Sequence, residues 1–386
     1  MFEMVTLNDF NLKDDPFPTA PPKEIVWADR EDFARQLKSA IKRSLISSPS
    51  RIIAAIWGDW GAGKSHAMRY FSKPDVMQSI IDELDCEKKQ PAISIPIVFP
   101  LGNVADIVYL EIVEKIGIEQ IIKALDSLEP EGKTVRPTKV LIEKVSEVID
   151  PRVAEAFVAL KGKSPFIFQQ YLSMTASATE LRKLGVARGI ETASDKIRTI
   201  SAILNLLTST TTSRVFLWFD DLERIGDIPG KDIYGFQYLI RDLLDNVPSN
   251  LVIIFNMTLL SGEKVEDRLL FLGDAVRFRI SDTITVKPFT KEEFLTYIGD
   301  LMSFYRKKPM KKEERLFPFE VTALEFIFSE LGRRGIPLEP RNVNEAMSSI
   351  LFEMTTDKTK RDPIIDRTYI INHIASILSR ISLPKK

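Results

Sequence analysis

Apolar positions recur along this chain in two rhythms. Phe33, Leu37, Ile41 and Leu45 stand four apart within EDFARQLKSAIKRSLI and predict one amphipathic helix between Asp29 and about Ser47, with SSPS breaking it. RIIAAIW then reads as a short buried strand, followed at once by a Gly-rich turn and a helical stretch, HAMRYF. A second β-branched run, PAISIPIVFP at 91–100, is bounded by prolines. Between 104 and 213 every apolar pattern has helical spacing, and no run there reads as a strand. RVFLWF at 214–219 predicts a fully buried strand that ends in two carboxylates. A helix near 232–245, the run LVIIFNMT, a helix over 262–275 and a last strand, TITVKPF, follow. Thr290 and Glu293 form a capping box that opens a helix through Tyr305, and helices at about 319–331, 341–354 and 364–380 complete the tail.

Strands alternating with helices, then helices alone, predict an α/β fold: a parallel-sheet core with a helical insertion and a C-terminal helical domain. The expected divisions are an extended N-terminal arm over 1–26, a core over 27–289 with its insertion at about 104–213, and a helical domain over 290–386. Four prolines within residues 1–24 are what make the arm extended rather than helical.

Composition narrows the chemistry. Lys and Arg total 53 against 54 Asp and Glu, so no global basic field draws in nucleic acid, and any DNA contact is expected to be weak and salt-sensitive. One cysteine, Cys86, excludes an intrachain disulfide, and with two histidines it leaves little for a Cys/His zinc site. No apolar run reaches the roughly 18 residues of a membrane span, and the acidic start is unlike a signal peptide. A soluble, cytoplasmic protein without membrane contact is the expectation.

One motif is specific. Gly58, Asp59, Trp60, Gly61, Ala62, Gly63, Lys64 and Ser65 fit G-x-x-x-x-G-K-[ST], with a buried strand before and a helix after. Glycines there let successive N–H groups turn inward around phosphates, and the helix N-terminus adds partial positive charge. Lys64 can reach the β- and γ-phosphates, and the Ser65 hydroxyl can ligate Mg²⁺. His66, next on the helix, lies within the cofactor-binding stretch and reads as a packing or solvent-facing residue. Asp220, ending the 214–219 strand, is placed to hold the Mg²⁺ shell, and Asp221 to polarise an attacking water. Glu223 could assist, although its plainer reading is a structural or solvated acid. ATP and Mg²⁺ are therefore the expected cofactors.

GDWGAGKS together with FDDLER resembles the KAP-type P-loop NTPases of the STAND group, which are similar to AAA+ proteins. FQYLIRDLLDNVPSNLVIIFNMT is similar instead to origin-recognition and bacterial transposition ATPases. Both resemblances imply a P-loop ATPase core with residues 290–386 as its helical lid; by them Asn256 is the polar sensor of the γ-phosphate, and Arg341 in PRNVNEAM reaches from the lid to the nucleotide. The resemblance also makes Arg277 the arginine finger offered to a neighbouring subunit, with Arg279 its close competitor. Trp27 and Arg30 take the positions that cradle the base, Trp27 reading equally as core packing. Asn256 alternatively caps a turn, and the arginines alternatively face solvent.

About 150 residues separate the phosphate loop from Asp220, hence the expected insertion, which carries no membrane segment. About 30 residues follow the last motif helix, fewer than a winged-helix DNA-binding domain needs. The run YRKKPMKKEER at 305–315 is the densest basic patch, interrupted by Glu313 and Glu314. The expected activity is slow, Mg²⁺-dependent ATP hydrolysis driving assembly or remodelling of a macromolecular complex, in genome maintenance or phage defence. The alternative is a nucleotide-gated signalling scaffold that turns over rarely. Expected partners are further copies of the chain, in an ATP-dependent head-to-tail oligomer, and a protein docked on the insertion.

Overall fold

The computed structural model describes residues 5–20, 24–46, 52–85, 91–129, 137–212, 214–247, 250–259, 263–357 and 362–381. These fall into two compact units. One holds the chain up to Arg35, Gly58–Tyr70 and everything from Thr285 onward; the other holds Gln36–Trp57 and Phe71–Ile284. The predicted SSPS break and Cys86 lie outside the described residues.

The second unit is built on a five-stranded parallel sheet. Its strands are β1 (Ile52–Gly58), β2 (Ala92–Val98), β3 (Arg214–Asp220), β4 (Leu251–Thr258) and β5 (Ile280–Val286), in the order β2-β3-β4-β1-β5. Every residue of β3 and β4 is buried, which is why their sequences are continuous apolar runs instead of alternating ones. Ala92 pairs with Arg214 and Val98 with Asp220 on one side of β3, and Val215 pairs with Leu251 and Phe219 with Phe255 on the other. Pro96 sits within β2 because β2 is an edge strand, where a missing N–H removes no ladder bond. From β1 the chain runs outward to β2, returns through β3 and β4, and finishes at β5 beyond β1. Strand order therefore reverses at β1, and open α/β sheets bind ligands at the carboxyl ends of strands beside such a reversal.

Helices α1 (Glu31–Ile46), α2 (Lys64–Phe71) and α3 (Pro74–Asp82) precede β2. Between β2 and β3 come α4 (Val104–Ile116), α5 (Ile118–Asp126), α6 (Pro137–Ser146), α7 (Pro151–Lys161), α8 (Pro165–Leu172), α9 (Ala178–Lys183) and α10 (Ala193–Thr210). Local sequence starts several of these. Asp150 and Ser164 cap helices whose first residue is proline, and Ser177/Glu180 and Thr192/Asp195 are reciprocal capping boxes. Val108, Ile112, Phe157, Phe168, Ile203 and Leu207 share one apolar core with Ile95 and Leu217 of the sheet. The insertion is thus welded to the sheet rather than appended to it. Among the described residues no helix is long and apolar enough to cross a membrane.

After β3 come a 3-10 turn at Leu222–Asp227, α11 (Gly230–Asn246) and then, beyond β4, α12 (Val265–Leu270) and α13 (Asp274–Arg277). The single helix predicted over 262–275 is in fact two pieces. Gly273 separates them at φ +75°, and a Cβ there would lie only 3.1 Å from the Gln237 side chain, so glycine is required at the break. The last strand also begins three residues earlier than its apolar pattern suggests and stops two residues short of Pro288.

The other unit carries helices α14 (Lys291–Tyr305), α15 (Val321–Arg333), α16 (Pro340–Thr356) and α17 (Arg367–Ser379). Phe294, Ile298, Met302, Ile327, Met347 and Ile350 form its core, and Phe10, Leu12 and Phe17 of the arm are buried in the same cluster. The arm is held by backbone bonds from Lys13 N–H to Tyr305 O and from Lys307 N–H to Asn11 O, 3.0 and 2.9 Å long. Arg306 belongs to this packing: it is 8% exposed and donates to the carbonyls of Phe10 and Phe317. The exposed basic face of the 305–315 run therefore reduces to Lys307, Lys308, Lys311 and Lys312, with Lys307 hydrogen-bonded to Asn8.

Candidate functional site

The loop that follows β1 has the form its glycines imply. Gly61 and Gly63 hold φ of +83° and +99°, a backbone that side-chain-bearing residues rarely adopt. Ala62 N–H bonds to Asp59 O at 3.2 Å, and α2 begins at Lys64, its first turn closed by Ala67 N–H on Gly63 O at 2.9 Å. Lys64 is only 7% exposed, and its ammonium donates to the carbonyls of Gly58 and Asp59, 2.9 Å each. A buried cation beside two left-handed glycines, at a helix N-terminus, fits a polyphosphate. Ser65 stands on the first turn of α2, where its hydroxyl can serve a phosphate-bound Mg²⁺.

His66 and Trp27 pack together. His66 Nε2 lies 2.6 Å from Val26 O, and the Trp27 ring is 6.2, 5.4 and 5.8 Å from those of His66, Tyr70 and Phe33. This aromatic group pins the segment before α1 to α2. Arg30 is buried: its guanidinium donates to Lys287 O and to Glu339, and lies 4.1 Å from the Phe289 ring centroid.

The start of α16 lies against the loop. A Cβ on Gly61 would approach Arg341 Cβ to 2.7 Å, and one on Gly63 would come within 3.9 Å of Pro340 Cγ. The Arg341 guanidinium stands 6.0 Å from the centroid of the exposed Trp60 ring, and its Nε bonds to Glu345 at 3.3 Å. Glu339, immediately before, was not singled out by the sequence. Burial pushes its carboxyl up to about 7 even though Arg30 opposes the shift. Asp29 is likewise raised to about 6, by burial first and then by the acids Glu293 and Asp300.

In the sheet unit, β3 and β4 bring Asp220 and Asn256 together. Asn256 is wholly buried; its Nδ2 donates to Asp220 Oδ1 at 3.0 Å while its Oδ1 accepts from Trp218 Nε1 at 3.0 Å. An indole nitrogen only donates, so Trp218 fixes which end of the amide faces the aspartate. Trp218 and Asp220, two apart on β3, point to the same face, which is how the trio arises. Asp221 takes the left-handed conformation at φ 55° and pairs with Arg224 at 2.9 Å. Glu223 turns back to β4, where its carboxylate accepts from Thr258 N–H at 3.2 Å. Arg277 ends α13, pairs with Asp274 at 3.0 Å and stacks on the exposed Phe278, while Arg279 pairs with Asp245 at 3.0 Å. Among the described residues no group of three or more His, Cys, Asp or Glu could hold a metal ion. One or two protein oxygens are what a nucleotide-borne Mg²⁺ takes, since phosphates and water complete its shell.

No protein-family model matches the sequence, and no curated protein does. Among solved structures, the Aeropyrum pernix ORC2 protein, determined as ADPNP and ADP complexes, is similar at 12% identity and a TM-score of 0.53, over 97% of this chain and 73% of that one. The ORC1 protein of the same organism, in complex with DNA, aligns at 11% identity and a TM-score of 0.46, over 95% of this chain and 70% of that one. Identities this low speak to fold alone: the chain has an α/β fold similar to that of the ORC2 protein, with a five-stranded parallel sheet and a helical tail.

Proposed function

We propose that the protein is a Mg²⁺-dependent P-loop ATPase that couples ATP binding and hydrolysis to assembly or remodelling of a macromolecular complex. The observation that carries this is the loop itself: Lys64 buried and bonded to the carbonyls of Gly58 and Asp59, with left-handed glycines at 61 and 63. In this reading the loop amides and Lys64 bind the phosphates, and Ser65 and Asp220 hold Mg²⁺, which neutralises charge on the transferring phosphoryl group. Asn256, fixed by Trp218, orients water at the γ-phosphate, Asp221 accepts its proton, and Arg341 binds the phosphate from the lid. Arg277 serves a neighbouring subunit. A guanidinium suits that task because it is always charged and can bridge two oxygens.

The domain division follows the same reading: an N-terminal arm, a nucleotide-binding core with its helical insertion as a protein-docking element, and a helical lid. DNA contact through the lysines at 307, 308, 311 and 312 would neutralise few phosphates and so would be weak and salt-sensitive. A second reading, the STAND-like switch with rare turnover, is favoured by one feature. Asp221, the intended base, is engaged by Arg224. Steady-state turnover across a concentration series, with and without DNA, separates the two. Turnover per subunit that rises with concentration, and is lost in Arg277→Ala without loss of ATP binding, supports the assembling ATPase. Turnover that is negligible at every concentration supports the switch.

A further inference from the structure

Glu339 is 0% exposed at the residue immediately before α16. Its Oε2 accepts from Arg30 Nη2 at 3.1 Å, and its Oε1 has no hydrogen-bond partner. Arg30 also donates to Lys287 O and covers the Phe289 ring, and Phe289 N–H bonds to Leu338 O at 2.8 Å. The segment that presents Arg30 is unfavourable in itself, because Asp29 and Arg30 hold φ of 44° and 60°. It is retained by Asp29 N–H on Asp300 at 3.0 Å and by Ala34 N–H on Arg30 O at 2.8 Å.

A buried ion pair gains little stability over an apolar pair of the same shape, so its better-attested use is to fix a register. The register here is that of α16. Pro340 has a fixed φ, and the next residue, Arg341, lies against Gly61 with its guanidinium toward Trp60. A single residue of fixed φ, Pro340, therefore separates the clamped carboxylate from an arginine laid on the phosphate loop.

We propose that Arg30 and Glu339 form a positioning pair that sets Arg341 against the phosphate loop and thereby sets the preference for a nucleoside triphosphate over a diphosphate. The proposal rests on the reading of that loop as a nucleotide site. Neither residue of the pair need touch the nucleotide; each acts through Arg341.

The test is a double-mutant cycle on the full chain, with a non-hydrolysable ATP analogue and ADP titrated calorimetrically. Arg341→Ala is expected to reduce the triphosphate preference about tenfold or more, the scale of one lost charge-assisted hydrogen bond. Glu339→Ala should reproduce that loss with ADP affinity unchanged, and the double variant should lose nothing further. Glu339→Gln, which still accepts from Arg30, should fall between wild type and Glu339→Ala. If Glu339→Ala does not fold, Arg30→Met takes its place in the same cycle. Equal weakening of both nucleotides, or additive losses in the double variant, overturns the proposal. So does an Arg341→Ala protein with its preference intact, an outcome that leaves nucleotide binding itself standing. Failure of the wild type to bind either nucleotide removes the site and the proposal together.

Discussion

Substituting Gly61 by alanine probes how α16 meets the phosphate loop. Two costs are combined at this position. Alanine at φ +83° pays about 1–2 kcal/mol for the left-handed backbone. The new methyl would also stand 2.7 Å from Arg341 Cβ, where carbon atoms ordinarily keep about 3.5–4.0 Å, so the start of α16 must retreat by about 1 Å. Overpacking of that kind costs about 1–3 kcal/mol. Gly63→Ala is the internal control, strained at φ +99° but with its nearest neighbour 3.9 Å away. In nucleotide-free protein, Gly61→Ala should therefore lose about 2–5 kcal/mol and Gly63→Ala only the conformational part. At roughly 2–4 °C per kcal/mol for a unit of this size, calorimetry resolves the difference. Adding Arg341→Gly removes the opposing Cβ and should recover the steric part, less about 1 kcal/mol for a helical glycine. Equal destabilisation by the two alanines, unaffected by Arg341→Gly, would refute the packing of α16 on the loop.

Three further outcomes follow from named contacts. Glu339, facing Arg30, Asp59 and Lys64, has its folded-state carboxyl raised from 4.5 to about 7. The folded state therefore binds the proton more tightly, and stability present below pH 4.5 is lost as pH rises through 7. The loss is up to about 3 kcal/mol, and Glu339→Gln should flatten that slope in urea unfolding curves collected from pH 4.5 to 8. An unchanged slope would show that the carboxyl is not held protonated. Trp218→Phe removes the indole donor to the buried Asn256 Oδ1, at a cost of about 1–3 kcal/mol, and should weaken Mg²⁺-dependent ATP binding by loosening the amide that steadies Asp220. Magnesium titrations with undiminished affinity would contradict this. Asp221→Asn should keep ATP binding and lower turnover in a phosphate-release assay, whereas Glu223→Ala should act mainly on stability through the lost Thr258 contact; the reverse pattern would make Glu223 the base.

The central strands were legible because they are buried on both faces, so LVIIFNMT and RVFLWF announce themselves as largely apolar runs, the first matching β4 and the second one residue short of β3. The phosphate loop was legible for a different reason: only its particular residues permit that backbone. β5 was harder, since several of its residues are exposed and its first three carry no apolar pattern. The helix over 262–275 failed at Gly273, whose role depends on Gln237 in another helix. Arg306 looked like part of a basic surface, yet it is buried against an arm 296 residues earlier in the chain. Glu339 was invisible for the same reason, its partner lying 309 residues away. Short-range pattern thus revealed strands, caps and the loop, whereas pairings between distant segments, which decide what a charged side chain does, left no local trace.

The central claim is that the Gly58–Ser65 loop binds the phosphates of ATP through its backbone and Lys64. Calorimetric titration of wild type and Lys64→Ala with a non-hydrolysable ATP analogue and Mg²⁺ tests it most directly. The account predicts saturable, one-to-one binding by wild type and its loss in Lys64→Ala, with the variant still unfolding cooperatively in the absence of nucleotide. Equal affinity in the two proteins, or no binding by the wild type, would contradict it.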